Sequence, residues 1–256
     1  MGGAIRLRLH DVRSPFSFEA DSIPVKGALR AVPTDRDTRF VDLSHTIESG
    51  MITYKGLPGP YICDHLSREQ SRAHYAPGTE FQIGKIEMVS NTSTYLDTPF
   101  HRDADGIDLG GLELASVADL PGIVVRIAPS AERAIGRSHF GATEVRGCAV
   151  LVHTGWSGHW RTDQYFEGHP HLTEQAAIYL RDAGAVLVGI DSLNIDSTDT
   201  GERPVHTTLL RAGIPIVEHM TNLGALPKDG FRFTAVPPKI SGMGTFPVRA
   251  HARVVR

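Results

Sequence analysis

The second half of the chain alternates short, unbroken apolar runs with segments of helical periodicity. Residues 148–152 form a continuous apolar run, as in a strand covered on both faces. Thr173 then stands where a helix N-cap belongs. The helix it opens is predicted to run to Ala183, with Ala176, Ala177 and Leu180 on one face and Gly184 as its stop. Residues 185–190 read as a second buried strand, 205–212 as a short helix stopped by Gly213, and 214–218 as a third strand. Strand, helix, strand, helix, strand argues for a parallel section of sheet. Residues 231–236 and 248–255 alternate as antiparallel or edge strands do. In the first half, residues 40–43, 81–89 and 122–127 predict strands, and Gly56, Pro58, Gly59 and Pro60 mark a turn-rich loop. Residues 130–146 are too weakly patterned to assign. The class is mixed α/β with much strand.

Residues 1–38 differ in character from the remainder of the chain. They carry Arg6, Arg8, Arg13, Arg30 and Arg36 with little periodicity, and read as an N-terminal extension. One domain over residues 39–256 is the simplest account of the rest, since no linker or repeat interrupts it. With 41% hydrophobic residues in 256, a sizeable core can form. The balance of 26 basic against 29 acidic residues excludes a broadly basic nucleic-acid binder and gives no reason to expect a membrane surface as partner. No apolar run approaches the roughly 18 residues of a membrane-spanning helix. The opening MGGAIRLRLHDVRSP has no apolar stretch long enough for a secretory signal, so a cytoplasmic protein is expected. Two cysteines, Cys63 and Cys148, are too few for a disulfide framework or a zinc ribbon.

The parallel section also says where to look for chemistry, because ligands sit beyond the carboxyl ends of such strands. Those ends carry His153, Thr154 and Trp156, then Asp191, then Glu218 and His219. Polar residues also follow strands simply because loops are wet. Trp156 suits an aromatic substrate pocket as well as it suits core packing. His169 and His171, flanking Pro170 before a helix, suit capping, and the Asp191, Asp196 and Asp199 loop lacks the glycine of a calcium loop. The segment NTSTYLDTPFH, residues 91–101, is more informative. Asp97 and His101 flank Pro99, which stiffens the backbone between them. An acid and an imidazole held this way can share a task, one holding a metal or orienting water and the other moving a proton.

That segment resembles the signature H-x-G-T-H-x-D-x-P-x-H of the cyclase family of metal-dependent hydrolases, which includes bacterial kynurenine formamidase and isatin hydrolase. Asp97, Pro99 and His101 match, with Thr94 in the threonine place. Asp42 to His45, Gly50 and Met51, the stretch from His153 to Trp156, Gly189 to Asp191, His206, Glu218 with Asn222 and Leu223, and Pro247 to Ala250 follow in family order. The resemblance covers about residues 39–256. It implies a swivelling β/β/α domain, assembled as a homodimer or homotetramer, that hydrolyses a carbon–nitrogen bond in a small amide or lactam. It also implies that the leading histidines and the Asp hold a divalent metal, that a later His and Glu twelve residues apart complete the site, and that the last His moves the proton. His206 and Glu218 stand at that spacing, and His101 is the last His.

The chain departs from the signature at three places: Asn91 and Tyr95 replace the leading histidines, and Ser93 the glycine. Neither an amide nor a phenol is a good zinc ligand. Asp97, His206 and Glu218 still number three, a carboxylate-weighted set that suits one zinc or manganese ion. Two alternatives stay open. In one the metal is lost, and Tyr95 works beside His101 in proton-transfer, lyase or lactone chemistry. In the other the pocket binds a small ligand without catalysis. Trp156, Asn91 and Thr94 are the candidate substrate contacts.

Overall fold

The structure is a computed structural model in which residues 37–128 and 132–255 are described. The extension expected at residues 1–38 therefore lies almost wholly outside the described residues. In chain order the elements are β1 (Thr38–Asp42), β2 (Tyr61–Leu66), α1 (Arg68–Ser71), β3 (Ile83–Glu87), β4 (Tyr95–Asp97), β5 (Leu120–Arg126) and β6 (Ala134–Ile135). Then come β7 (Ala149–His153), β8 (His171–Leu172), α2 (Glu174–Ala183), β9 (Leu187–Ile190), α3 (Pro204–Arg211), β10 (Ile216–Glu218), β11 (Phe231–Thr234), β12 (Thr245–Pro247) and β13 (His251–Val255).

Nine strands make one sheet in the order β1-β13-β11-β5-β7-β9-β10-β4-β12. Its centre, β5, β7, β9 and β10, is parallel; the alternation of strand and helix predicts this for β7, β9 and β10, and β5 joins them. The strands on either flank run antiparallel. Strand β7 shows why the central runs are apolar throughout. Ala149 and Leu151 enter one core with Leu43, Leu96 and Phe233. Val150 and Val152 enter a second core, shared with Ala176 and Leu180 of α2 and Val205 and Leu209 of α3. Both faces are covered from Ala149 to Val152, so no position there is left for a polar side chain. At Gly189 there is no room for a side chain at all: a Cβ would lie 2.5 Å from the Met220 sulfur and 2.9 Å from Leu151.

The sequence expectation of one strand over residues 248–255 is corrected. Strand β12 ends at Pro247, and pairing resumes only at His251. Between them Val248 N–H donates to Thr94 O (2.9 Å) and Leu43 N–H to Ala250 O (2.9 Å). The break is forced by topology. Strand β12 lies at one edge of the sheet, and β13 lies beside the other edge. In a flat sheet they would be about 34 Å apart at about 4.8 Å per strand. The linking residues 248–250 can span no more than about 14 Å. The sheet must curl until its edges approach, and the link is the seam. Among the described residues no helix is long and apolar enough to cross a membrane.

Helix α2 has the predicted limits. The Thr173 side chain accepts the Ala176 N–H (3.2 Å), and Gly184 closes the helix in the left-handed conformation at φ 87°. Thr173→Ala is expected to lower stability by about 1 kcal/mol in urea denaturation, and Thr173→Asp to retain most of it. Equal loss in both variants would show that the hydroxyl does not act as a cap.

Candidate active site

Strand β4 lies between β10 and β12, and side chains alternate across it. Leu96 faces the core, so Tyr95 and Asp97 face the other way. Register then sets their neighbours: Tyr95 stands opposite Glu218 and Pro247, and Asp97 opposite Ile216 and Thr245. Asp97 is fully buried. Its Oδ1 accepts a hydrogen bond from the Thr245 hydroxyl, whereas its Oδ2 has no hydrogen-bond partner among the described residues.

Helix α3 brings His206 onto this carboxylate. Pro204 opens the helix, and Asp196 caps it from the preceding loop: Oδ1 accepts Val205 N–H (2.8 Å) and Oδ2 accepts His206 N–H (2.9 Å). Asp196 Oδ2 also lies 2.7 Å from His206 Nδ1, so that nitrogen donates. His206 Nε2 is left 3.7 Å from Asp97 Oδ2 and 3.6 Å from Glu218 Oε1. Burial opposes a charge on His206, but the bond to Asp196 and the Asp97 and Glu218 carboxylates outweigh it, raising its pKa to about 10.

His101 closes the site from the solvent side. It ends a short turn, Pro99–His101, and its Nδ1 lies 2.7 Å from Thr245 Oγ1 and 3.8 Å from Asp97 Oδ1. About a third of its side chain, 36%, is exposed. With His206, Asn194, Arg102 and Arg203 it lines a cleft of about 730 Å³. Asp97, His101 and His206 each offer a donor atom, and these atoms lie within 4.8 Å of one another. A buried carboxylate oxygen without a partner, beside imidazole nitrogens, is a donor set that fits a divalent cation.

Glu218 is already well partnered. Its Oε1 accepts Ile195 N–H (2.6 Å), and its Oε2 accepts the Tyr95 hydroxyl (2.6 Å). The Tyr95 oxygen lies 3.3 Å from His219 Nε2, and His219 Nδ1 lies 2.9 Å from the Tyr165 hydroxyl. Burial first, then the Glu218 charge, pushes the Tyr95 phenol well above its ordinary pKa. Burial lowers that of His219 to about 3. The row Tyr165, His219, Tyr95 is thus a neutral wall beside the carboxylates.

The structure brings His101, Tyr95, Asp97, His206 and Glu218 together, and Asn91 lies beside the Tyr95 phenol. Two other candidates are engaged elsewhere. The Thr94 hydroxyl donates to His219 O (2.6 Å) and accepts His45 N–H (3.1 Å), which makes it a backbone tie. Trp156 donates its Nε1 hydrogen to Tyr165 O (3.0 Å) and is not among the residues lining the cleft. The indole next to the site is Trp160, stacked on His45 at 4.0 Å and set edge-on to His219 and Tyr165. Sequence reasoning also missed the parts played by Asp196 and Thr245. An acidic residue ahead of the Pro204 helix was a signal for Asp196, but nothing local marks Thr245, 148 residues from its partner Asp97.

Known proteins resemble this chain in sequence and in fold. The family model “Putative cyclase” matches residues 41–197. The kynurenine formamidase of Bacillus cereus (strain ATCC 14579) is 26% identical over 222 residues, covering 86% of this chain and all of that protein. A solved structure of a predicted metal-dependent hydrolase from Bacillus stearothermophilus is 26% identical, with a TM-score of 0.66 over 84% of this chain and 98% of its own. Isatin hydrolase A from Labrenzia aggregata, solved bound to benzyl benzoate, is 21% identical and shares the fold, with a TM-score of 0.73 over 86% of this chain and 95% of its own.

Proposed function

The chain belongs to the cyclase family, and from that premise we propose that it is a cytoplasmic hydrolase of a carbon–nitrogen bond in a small amide or lactam. The observation that carries the reading is the unpartnered Asp97 Oδ2, facing at 3.7 Å the Nε2 of His206, which with His101 lines the cleft. Relatives that are amidohydrolases or metal-dependent hydrolases support it.

Asp97 and His206 would hold one divalent ion, zinc or manganese, with Glu218 Oε1 as third donor. When bound, such an ion supplies Lewis-acid polarisation of a carbonyl and a water acidic enough to attack it at neutral pH. The protein's own groups do the rest. Asp196 orients His206 so that Nε2 faces the carboxylates. His101, the exposed imidazole, takes the proton of the attacking water and returns it to the leaving nitrogen. The neutral Tyr95 closes the side where the signature places histidines, its hydroxyl occupying Glu218 Oε2. A second reading rests on the compactness of the Asp97, His101 and His206 donor atoms. In it His101 is the third ligand and Glu218 stays outside.

Assembly belongs to the same proposal. The β2–β3 hairpin leaves Tyr61, Ile62, Phe81, Ile83 and Ile86 exposed. A two-stranded ribbon is at best marginally stable alone in water. We assign it, with the loop at residues 54–61, to a homodimer or homotetramer contact that places this loop at a neighbour's cleft.

His101→Ala is expected to lower turnover of a small amide by roughly 10²–10⁴-fold, the usual worth of general acid–base catalysis, with metal content unchanged. Loss of the metal in that variant would favour the second reading, and unchanged turnover would remove His101 from the mechanism. Calorimetric titration with zinc or manganese should show at most one ion per chain. Asn91→His with Tyr95→His should tighten that binding, because it adds two nitrogen donors and releases Glu218 from the phenol. Two tight ions in the natural protein would contradict this account. Light scattering should report a dimer or tetramer, and a monomer at micromolar concentration would end the assembly proposal.

A further inference from the structure

Thr245 stands between the two groups on which the proposed chemistry depends. It is buried on β12, directly opposite Asp97 in the register. Its Oγ1 bonds to Asp97 Oδ1 and lies 2.7 Å from His101 Nδ1. A hydroxyl has one proton to give, and an ionised carboxylate only accepts. Asp97 Oδ1 is the acceptor of the Thr245 hydroxyl. The Thr245 proton therefore goes to Asp97. The hydroxyl oxygen then faces His101 as an acceptor, and the proton between them must come from His101 Nδ1. The opposite tautomer would set two lone pairs against each other at 2.7 Å. Turning the hydroxyl away to relieve this would leave Asp97 Oδ1 without that donor, beside an Oδ2 that already has none.

The backbone is built for this contact. A Cβ on Gly244 would lie 2.3 Å from the His101 backbone nitrogen and 2.6 Å from its Cα. Only a residue without a side chain lets the start of β12 lie against the turn that carries His101. Thr98 N–H donates to Gly244 O (2.7 Å) and holds the two segments together.

We propose that Thr245 is a positioning residue that fixes the His101 imidazole as the Nδ1–H tautomer, so that its Nε2 lone pair is the one that takes the proton of the attacking water. Which imidazole nitrogen carries the proton is set by the hydrogen bond its other nitrogen makes. The role given to Nε2 rests on the hydrolase reading, whereas the tautomer does not.

The test is nitrogen–proton correlation NMR of the histidine side chains in the full chain, stripped of metal, in alkaline buffer. His101 is identified by the signals that vanish in His101→Gln. The natural protein and Thr245→Ser should both show His101 protonated at Nδ1. Thr245→Val, which keeps the shape and loses the hydroxyl, should move protonation toward Nε2. On an amide that the natural enzyme hydrolyses, Thr245→Val should lower kcat on the order of 10–100-fold, the usual effect of removing a group that orients an imidazole in a metal site, with KM little changed and Thr245→Ser active. An Nε2–H tautomer in the natural protein overturns the proposal without recourse to any variant, and so does an unmoved tautomer in Thr245→Val. The expected tautomers in a protein that hydrolyses no amide would uphold Thr245 and reject the hydrolase reading. The expected tautomers with an unmoved kcat would remove Thr245 from the reaction.

Discussion

A carboxylate taken fully out of water is costly unless donors and opposite charge surround it. Asp97 is fully buried, and the site is organised around that cost. Thr245 donates to one oxygen, and His206, held by Asp196, brings its ring to the other. The compensation is incomplete: Oδ2 keeps no hydrogen-bond partner, and His206 faces three carboxylates. Negative charge in this buried corner is relieved by a cation or by protons, and burial, with the Asp97 charge beside it, accordingly raises the Glu218 carboxyl to about 7. In the bare chain the extra proton on His206 fills that role. A divalent ion would fill it better, because each carboxylate then faces two positive charges in place of one.

The same balance of charge explains why Asn91 and Tyr95 can stand in the places the family signature gives to histidine. Removing two neutral nitrogen donors would leave Glu218 with an open oxygen beside the carboxylate of Asp97. The Tyr95 hydroxyl donates to that oxygen, and Ile195 N–H donates to the other. His219 and Tyr165 extend the row without adding charge, since burial keeps the imidazole neutral and both phenols protonated. Where the signature has its leading histidines, this chain thus has a hydrogen-bonded wall. His206 meets Glu218 at the other oxygen, Oε1, at 3.6 Å.

Much of this was legible in the sequence, and the parts that were not share a cause. Helix α2 was visible from Thr173 to Gly184 because caps and apolar spacing are local. The parallel centre was visible because strands buried on both faces cannot hide their composition. Asp97, His101, His206 and Glu218 were visible because their residue types and spacings fit a known signature. Thr245 was not, because a threonine opening a three-residue strand carries no mark of the carboxylate opposite it. Trp160 was passed over for Trp156 because both follow the same strand, and only tertiary packing shows which indole meets His45. The single strand expected over residues 248–255 failed for a similar reason. Its alternation is real, but the curl of the sheet hands the chain from one edge to the other in the middle of it.

That hand-over also shapes the site. Because β12 and β13 are joined by so short a link, β12 cannot slide along β4 without dragging β13 along β1 and β11. Register at β4 is thereby tied to register at the far edge of the sheet, where five residue pairs join β1 to β13. A one-residue slip would send Asp97 and Thr245 to opposite faces and separate the hydroxyl from the carboxylate. Gly244 tightens the same constraint from the other end, since its backbone lies against His101 with no space between them. The position of the His101 imidazole is therefore fixed by the closure of the whole sheet, although its own turn, Pro99–His101, is only three residues long. That is how a partly exposed histidine on a short surface turn is held to hydrogen-bonding tolerance against a buried acid.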